Sequence, residues 1–139
     1  MQGLSKRSSQ DSGNSSRLLI VDDDGYLRVS LRQQLLAEGF QHIYDIGTAA
    51  GLKTILKDAN PDLILLDIQM PDMDGISTMK AMRSIDARQN RAHPQYIAFT
   101  ANAMTHQVEN YLSEGFDGIL TKPITISDLV VFLNTAQAA

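Results

Sequence analysis

The sequence predicts an α/β fold, a three-layer α/β/α sandwich built around a five-stranded parallel sheet. Two observations carry that prediction. Five short apolar runs recur along the chain, and after each comes a longer stretch with apolar residues at helical spacing. Strict alternation of this kind means βαβ units with right-handed crossovers, which cover both faces of the sheet and so demand strands that are apolar throughout.

The runs are Leu18–Val21, His42–Ile46, Leu63–Leu66, Tyr96–Phe99 and Gly118–Leu120, the second and fifth being the less apolar. After the first, Leu27, Leu31 and Leu35 share a helical face and Gly39 supplies a C-terminal stop. Residues 49–59 place Leu52, Ile55 and Leu56 on one face, and Asn60-Pro61 ends the segment because the residue before proline is pushed out of helical geometry. Ile76, Met79, Met82 and Arg83 form a third stripe after Gly75, and Met104, Val108, Tyr111 and Leu112 form a fourth, stopped by Gly115. Ile126, Leu129, Val130 and Leu133 form the fifth, with Thr125 as its N-cap. Methionines at this spacing read as core filler rather than as a cofactor surface.

Residues 1–16, MQGLSKRSSQDSGNSS, have no apolar period and read as a disordered tail or linker, with its serines solvated rather than modified; residues 17–139 read as one domain. The 139 residues carry a formal net charge of −4, which argues against nucleic acid as a partner because that needs clustered Lys and Arg. Cysteine is absent, which excludes disulfides, thiolate catalysis and cysteine-ligated metals. No stretch approaches the roughly 20 apolar residues that span a bilayer, and the N-terminus has no apolar signal core. A soluble, cytoplasmic chain without membrane contact is the expectation.

In sheets of this class, ligands bind at the carboxyl ends of the strands, near the switch in strand order. Asp22, Asp23 and Asp24 follow the first run, Asp67 the third, Thr100 the fourth and Lys122 the fifth. Singly each has a plain explanation as a helix cap or a solvated charge, and Asp24 suits a cap. Together they suggest one chemistry. Asp22, Asp23 and Asp67 repel one another, and a hard divalent cation such as Mg²⁺, or Mn²⁺ in its place, relieves that repulsion through oxygen ligands. A carboxylate left partly free beside such an ion can attack phosphorus while Lys122 and the Thr100 hydroxyl meet the phosphoryl oxygens. No G-x-x-x-x-G-K loop is present, so nucleotide binding by that route is not expected.

The stretches LLIVDDD (18–24), PDLILLDIQMPDMDG (61–75), IAFTANA (97–103) and TKP (121–123) resemble the receiver domain of two-component response regulators, in order and over residues 17 to about 136. Their wording is similar to receivers of hybrid histidine kinases or stand-alone relay receivers. The resemblance implies a (βα)5 flavodoxin-like topology and a phosphoacceptor at Asp67, charged by a phosphohistidine on a sensor histidine kinase or histidine phosphotransfer protein. It further implies Mg²⁺ held by Asp22, Asp23, Asp67 and the backbone carbonyl of Gln69. Thr100 becomes the switch hydroxyl, Lys122 the phosphate-pairing lysine, and the Lys122–Pro123 bond cis. Gln69 and Asn102 would help to set the lifetime of the acyl phosphate. The family often has Tyr or Phe three residues before the lysine, where this chain has Ile119, so readout is expected through Thr100 and residues 101–114 instead. No output region is expected after the fifth helix, which places output in a downstream protein partner, a phosphotransfer histidine or sequence outside this chain.

The enzyme-class alternative is a haloacid-dehalogenase-like aspartyl phosphatase. It needs an acidic residue two positions after the nucleophile, where Gln69 stands, so a non-enzymatic signalling domain is the better reading. His42, His93 and His106 lack mutual metal-ligand spacing and read as structural or solvated. Arg83, Arg88 and Arg91 read as a solvated surface.

Overall fold

A computed structural model of the chain describes residues 15–70, 73–88, 94–101 and 104–138. Five strands form one sheet: β1 (Arg17–Val21), β2 (His42–Ile46), β3 (Leu63–Asp67), β4 (Gln95–Thr100) and β5 (Gly118–Thr121). Their order is β2-β1-β3-β4-β5, and every neighbouring pair is parallel. Among the described residues, five helices connect and follow them: α1 (Gly25–Ala37), α2 (Leu52–Ala59), α3 (Gly75–Arg88), α4 (Thr105–Glu114) and α5 (Ile126–Ala138). The predicted fold class is therefore observed. A short antiparallel ribbon, Gln69–Met70 with Met73–Asp74, lies between β3 and α3 and had no counterpart in the sequence pattern.

Pleat alternation divides the core in two. Leu18, Ile20, Leu63, Leu65, Ile97 and Phe99 pack with Leu31 and Leu35 of α1 and with Leu129 and Leu133 of α5. Leu19, Val21, Ile64, Leu66 and Ala98 turn the other way, against Leu56 of α2, Met79 and Met82 of α3, and Tyr111 of α4. Each fully buried Leu or Ile contributes roughly 1.5–3 kcal/mol, which is why the charged and amide residues of the central strands, Arg17, Asp67 and Gln95, stand only at strand ends. The less apolar runs, β2 and β5, are the two edges of the sheet.

Local chemistry sets the helix ends. Asp24 caps α1 by accepting from the Leu27 N–H at 3.1 Å, and Thr125 caps α5 by accepting from the Asp128 N–H at 3.1 Å. Gly39, at φ 99°, ends α1 in the left-handed region, as predicted. Helix α2 begins at Leu52 rather than at residue 49, because Gly51 takes φ 85° immediately before it. Asn60, at φ 45°, closes the same helix ahead of Pro61.

Two expectations are corrected. Met104 and Leu112, expected on the buried stripe of α4, are 58% and 46% exposed, and Tyr111 carries most of that helix's burial. Arg83 is not simply solvated: it donates to the Gly115 carbonyl at 2.8 Å and to Asp117 at 2.9 Å, and stacks 4.5 Å from the Tyr96 ring centroid. Tyr96 in turn donates its hydroxyl to the buried Asp86 at 2.6 Å, fastening α3 to the start of β4. Arg91 and His93 lie outside the described residues, as do residues 1–14 of the expected tail; Ser16, by contrast, is buried.

Candidate functional site

Strand order reverses between β1 and β3, since the chain runs from β1 out to edge strand β2 and returns to the other side of β1. The carboxyl ends of those two strands therefore flank an open crevice. Val21 pairs in register with Leu66, so the next residues, Asp22 and Asp67, stand abreast. Alternation sends both side chains to the face of α1 and α5, the face of Ile20 and Leu65. Phe99 is the register partner of Asp67 and shares that face.

Asp22 is fully buried and Asp67 is 4% exposed, whereas Asp23 is exposed at the mouth. One oxygen from each of the three carboxylates can lie within 4.8 Å of the others. Lys122, carried across from the end of β5, places Nζ 2.8 Å from Asp22 Oδ2 and 3.5 Å from Asp67 Oδ1, above the Phe99 ring at 5.0 Å. The Lys122 N–H donates to the Thr100 carbonyl at 2.8 Å, which fixes the loop that carries the lysine, and the Lys122–Pro123 bond is cis. Asp24 N–H donates to Asp22 Oδ1 at 2.9 Å, and Gln69 N–H to Asp67 Oδ1 at 3.0 Å. Thr100 ends β4 one strand from Asp67 and is completely buried. The Gln69 side chain is exposed at the mouth; Asn102 lies outside the described residues.

Electrostatics follow from this packing. Burial raises the Asp67 pKa above its ordinary 3.8 and the charge of Asp22 raises it further, while the Gln69 N–H and Lys122 partly offset both. Burial alone would lower Lys122, but its hydrogen bond to Asp22 and the charges of Asp22 and Asp67 outweigh that and leave it above 10.5. Among the described residues one ammonium, that of Lys122, faces three carboxylates, so negative charge is in excess. That excess, on a donor set made only of oxygens, fits a hard divalent cation.

Gly75 determines how closely α3 approaches this site. A Cβ there would lie 2.9 Å from the Ile68 Cα and 2.8 Å from its Cδ1, immediately after Asp67. Alanine favours a helix over glycine by about 1 kcal/mol, yet Gly75→Ala is expected to destabilise the domain by about 1–3 kcal/mol through this overpacking. Urea unfolding with an unchanged slope checks the expectation, and a gain in stability would reverse the reading. Nothing in the sequence pattern singles out Arg28, which touches the acidic turn from behind: its Nη1 donates to the Asp22 carbonyl at 2.7 Å.

The response regulator receiver domain model matches residues 18–134. The chain belongs to that family. This receiver is 36% identical over 115 residues to the sensor protein GacS of Pseudomonas syringae pv. syringae, covering 82% of this chain and 12% of that protein. It is 29% identical over 118 residues to the chemotaxis protein CheY of Bacillus subtilis, covering 85% and 94% of the two chains. Among solved structures, a CheY-like receiver domain from Methanospirillum hungatei superposes with a TM-score of 0.74 at 26% identity, covering 89% of this chain and 94% of that one. The relatives thus include both a small protein of similar length and a sensor of which the receiver spans a small part. The domain is a component of two-component signalling. No described helix is long and apolar enough to cross a membrane. The position three residues before Lys122 is Ile119, partly buried against the cluster around Met79 and Ala98.

Proposed function

We propose that the receiver accepts a phosphoryl group on Asp67 from an external phosphohistidine and, once charged, presents an altered surface to a protein partner. The observation that carries the proposal is the pairing of Asp67 with Asp22 and Asp23 within 4.8 Å, answered by the ammonium of Lys122. Asp22, Asp23, Asp67 and the Gln69 backbone carbonyl would hold Mg²⁺ or Mn²⁺. Such an ion supplies neutralising charge to the moving phosphoryl oxygens.

The protein's own groups do the rest. An Asp67 oxygen forms the new bond to phosphorus as the bond to the donor imidazole nitrogen breaks. Asp67 Oδ1 is held by the Gln69 N–H, which fixes the carboxylate plane. Lys122 pairs with the incoming negative charge, and Thr100 offers its hydroxyl from the neighbouring strand. Thr100 is completely buried and leads directly into residues 101–114, a route for readout that does not need an aromatic at position 119. Residues 17–139 form the receiver unit of this proposal, with 1–16 as its tail. The absence of cysteine and of nucleic-acid-type basic clusters suits a cytoplasmic relay between proteins.

The test is incubation with acetyl phosphate and Mg²⁺ followed by intact mass. One phosphoryl adduct is expected, reduced to background by a chelator. No adduct with any small donor, and no response to beryllofluoride, would sink the proposal.

A further inference from the structure

We propose that Arg28 is a positioning residue for the acidic turn, holding residues 22–24 in the shape that takes a divalent cation; this rests on the metal-binding reading above. Arg28 stands early in α1 and reaches back under the end of β1. Its Nη1 donates to the Asp22 main-chain carbonyl at 2.7 Å, and its Nε donates to Asp45 Oδ1 at 2.9 Å. The second oxygen of Asp45 accepts from Arg32 at 3.0 Å, so the carboxylate that anchors Arg28 is itself fixed. The Arg28 side chain is only 21% exposed.

Gly47 makes this placement possible. A Cβ at position 47 would lie 2.5 Å from Arg28 Nη1 and 3.0 Å from its Cζ, so the guanidinium occupies space that any other residue would fill. Asp22 is thereby held on all sides: its N–H by the Ile46 carbonyl at 3.1 Å, its carbonyl by Arg28, Oδ1 by the Asp24 N–H at 2.9 Å and Oδ2 by Lys122 at 2.8 Å. Arg28 ties this turn to α1, whereas Lys122 and Ile46 tie it to the sheet. Groups that orient metal ligands without touching the metal commonly change affinity by 10- to 100-fold when lost.

Charge and position predict opposite signs, which makes the role testable. As a bare cation, Arg28 competes with a metal ion, so its removal would tighten binding. As a positioning group, its removal loosens the turn and weakens binding. Gly47→Ala separates the two effects, because it evicts the guanidinium while keeping its charge. The displaced atoms are the end of a flexible side chain, and Gly47 is not in the left-handed region, so the fold is retained.

Mg²⁺ titration of the full chain by calorimetry is expected to give about tenfold weaker binding for both Arg28→Gln and Gly47→Ala. In metal-free protein, NMR is expected to show the Asp24 amide proton, bonded to Asp22 Oδ1 in the wild type, losing its shift and exchanging faster in both variants. Tighter binding by Arg28→Gln, or an unchanged affinity and Asp24 amide in Gly47→Ala, would overturn the inference. A wild-type chain that binds no Mg²⁺ overturns the metal reading instead, and the Asp24 amide then decides the positioning role alone.

Discussion

Replacing Asp67 with asparagine is expected to abolish the phosphoryl adduct and, without metal at neutral pH, to raise the melting temperature of the domain. The first effect is chemical, since a carboxamide cannot form the acyl phosphate. The second follows from the site's charge. Asp67 is 4% exposed and abreast of the fully buried Asp22, and its folded pKa lies above the ordinary 3.8, chiefly through burial. A carboxyl whose pKa is raised by folding binds its proton more tightly in the folded state. Its favourable contribution is therefore complete below 3.8 and is lost as pH rises through the folded value. Asparagine keeps an oxygen for the Gln69 N–H and carries no charge at any pH, so its advantage appears only above that window. An effect of the order of 1 kcal/mol would move the midpoint by roughly 3–5 °C in a chain of this size. Melting curves at acid and neutral pH, with intact mass after acetyl phosphate, check both parts. An adduct that persists in Asp67→Asn would place the acceptor elsewhere, and a lower neutral-pH midpoint would mean that Lys122 over-compensates the carboxylate.

Much of this was legible in the sequence for a physical reason. A parallel sheet covered on both faces needs strands that are apolar throughout, so Leu18–Val21 and Leu63–Leu66 announce themselves, and the first polar residue after each marks its carboxyl end. Register then does what sequence cannot: pairing Val21 with Leu66 brings Asp22 beside Asp67 although 45 positions separate them in the chain. The strand limits shifted by a residue or so, leaving Asp67 and Thr100 as the last residues of β3 and β4 rather than the first after them. What stayed hidden depended on side chains reaching between elements. Arg28 looks like any helical arginine until Gly47 and Asp45 are seen to receive it. Asp86 looks solvated until Tyr96 is found bonded to it in the interior. Met104 and Leu112 misled because helical spacing identifies a shared face and not what covers it.

Lys122→Met is expected to destabilise the metal-free domain at neutral pH by about 2–3 kcal/mol. Breaking a buried pair by removing one partner costs about 3–5 kcal/mol, and the lower figure reflects a lysine side chain that is 23% exposed. The loss falls on Asp22 and Asp67, which keep their burial but lose the ammonium that faces them at 2.8 and 3.5 Å. Two pH windows follow. The deficit shrinks at acid pH, where Asp67, whose folded pKa is raised, takes up its proton and needs no counter-charge. It also shrinks at alkaline pH, because the folded Lys122 pKa is raised: its contribution is complete below 10.5 and is lost as pH rises through the folded value. A divalent cation answers the same carboxylates, so Mg²⁺ should restore stability to Lys122→Met more than it adds to the wild type. Binding at 100 times the dissociation constant supplies about 2.7 kcal/mol, enough to offset the deficit. Phosphoryl acceptance should stay impaired, since the lysine's charge is also wanted on the incoming group. Chemical denaturation with and without Mg²⁺ separates these outcomes. A variant as stable as wild type without metal, or one that gains no more from Mg²⁺, would show that Lys122 and the ion do not share the same negative charge.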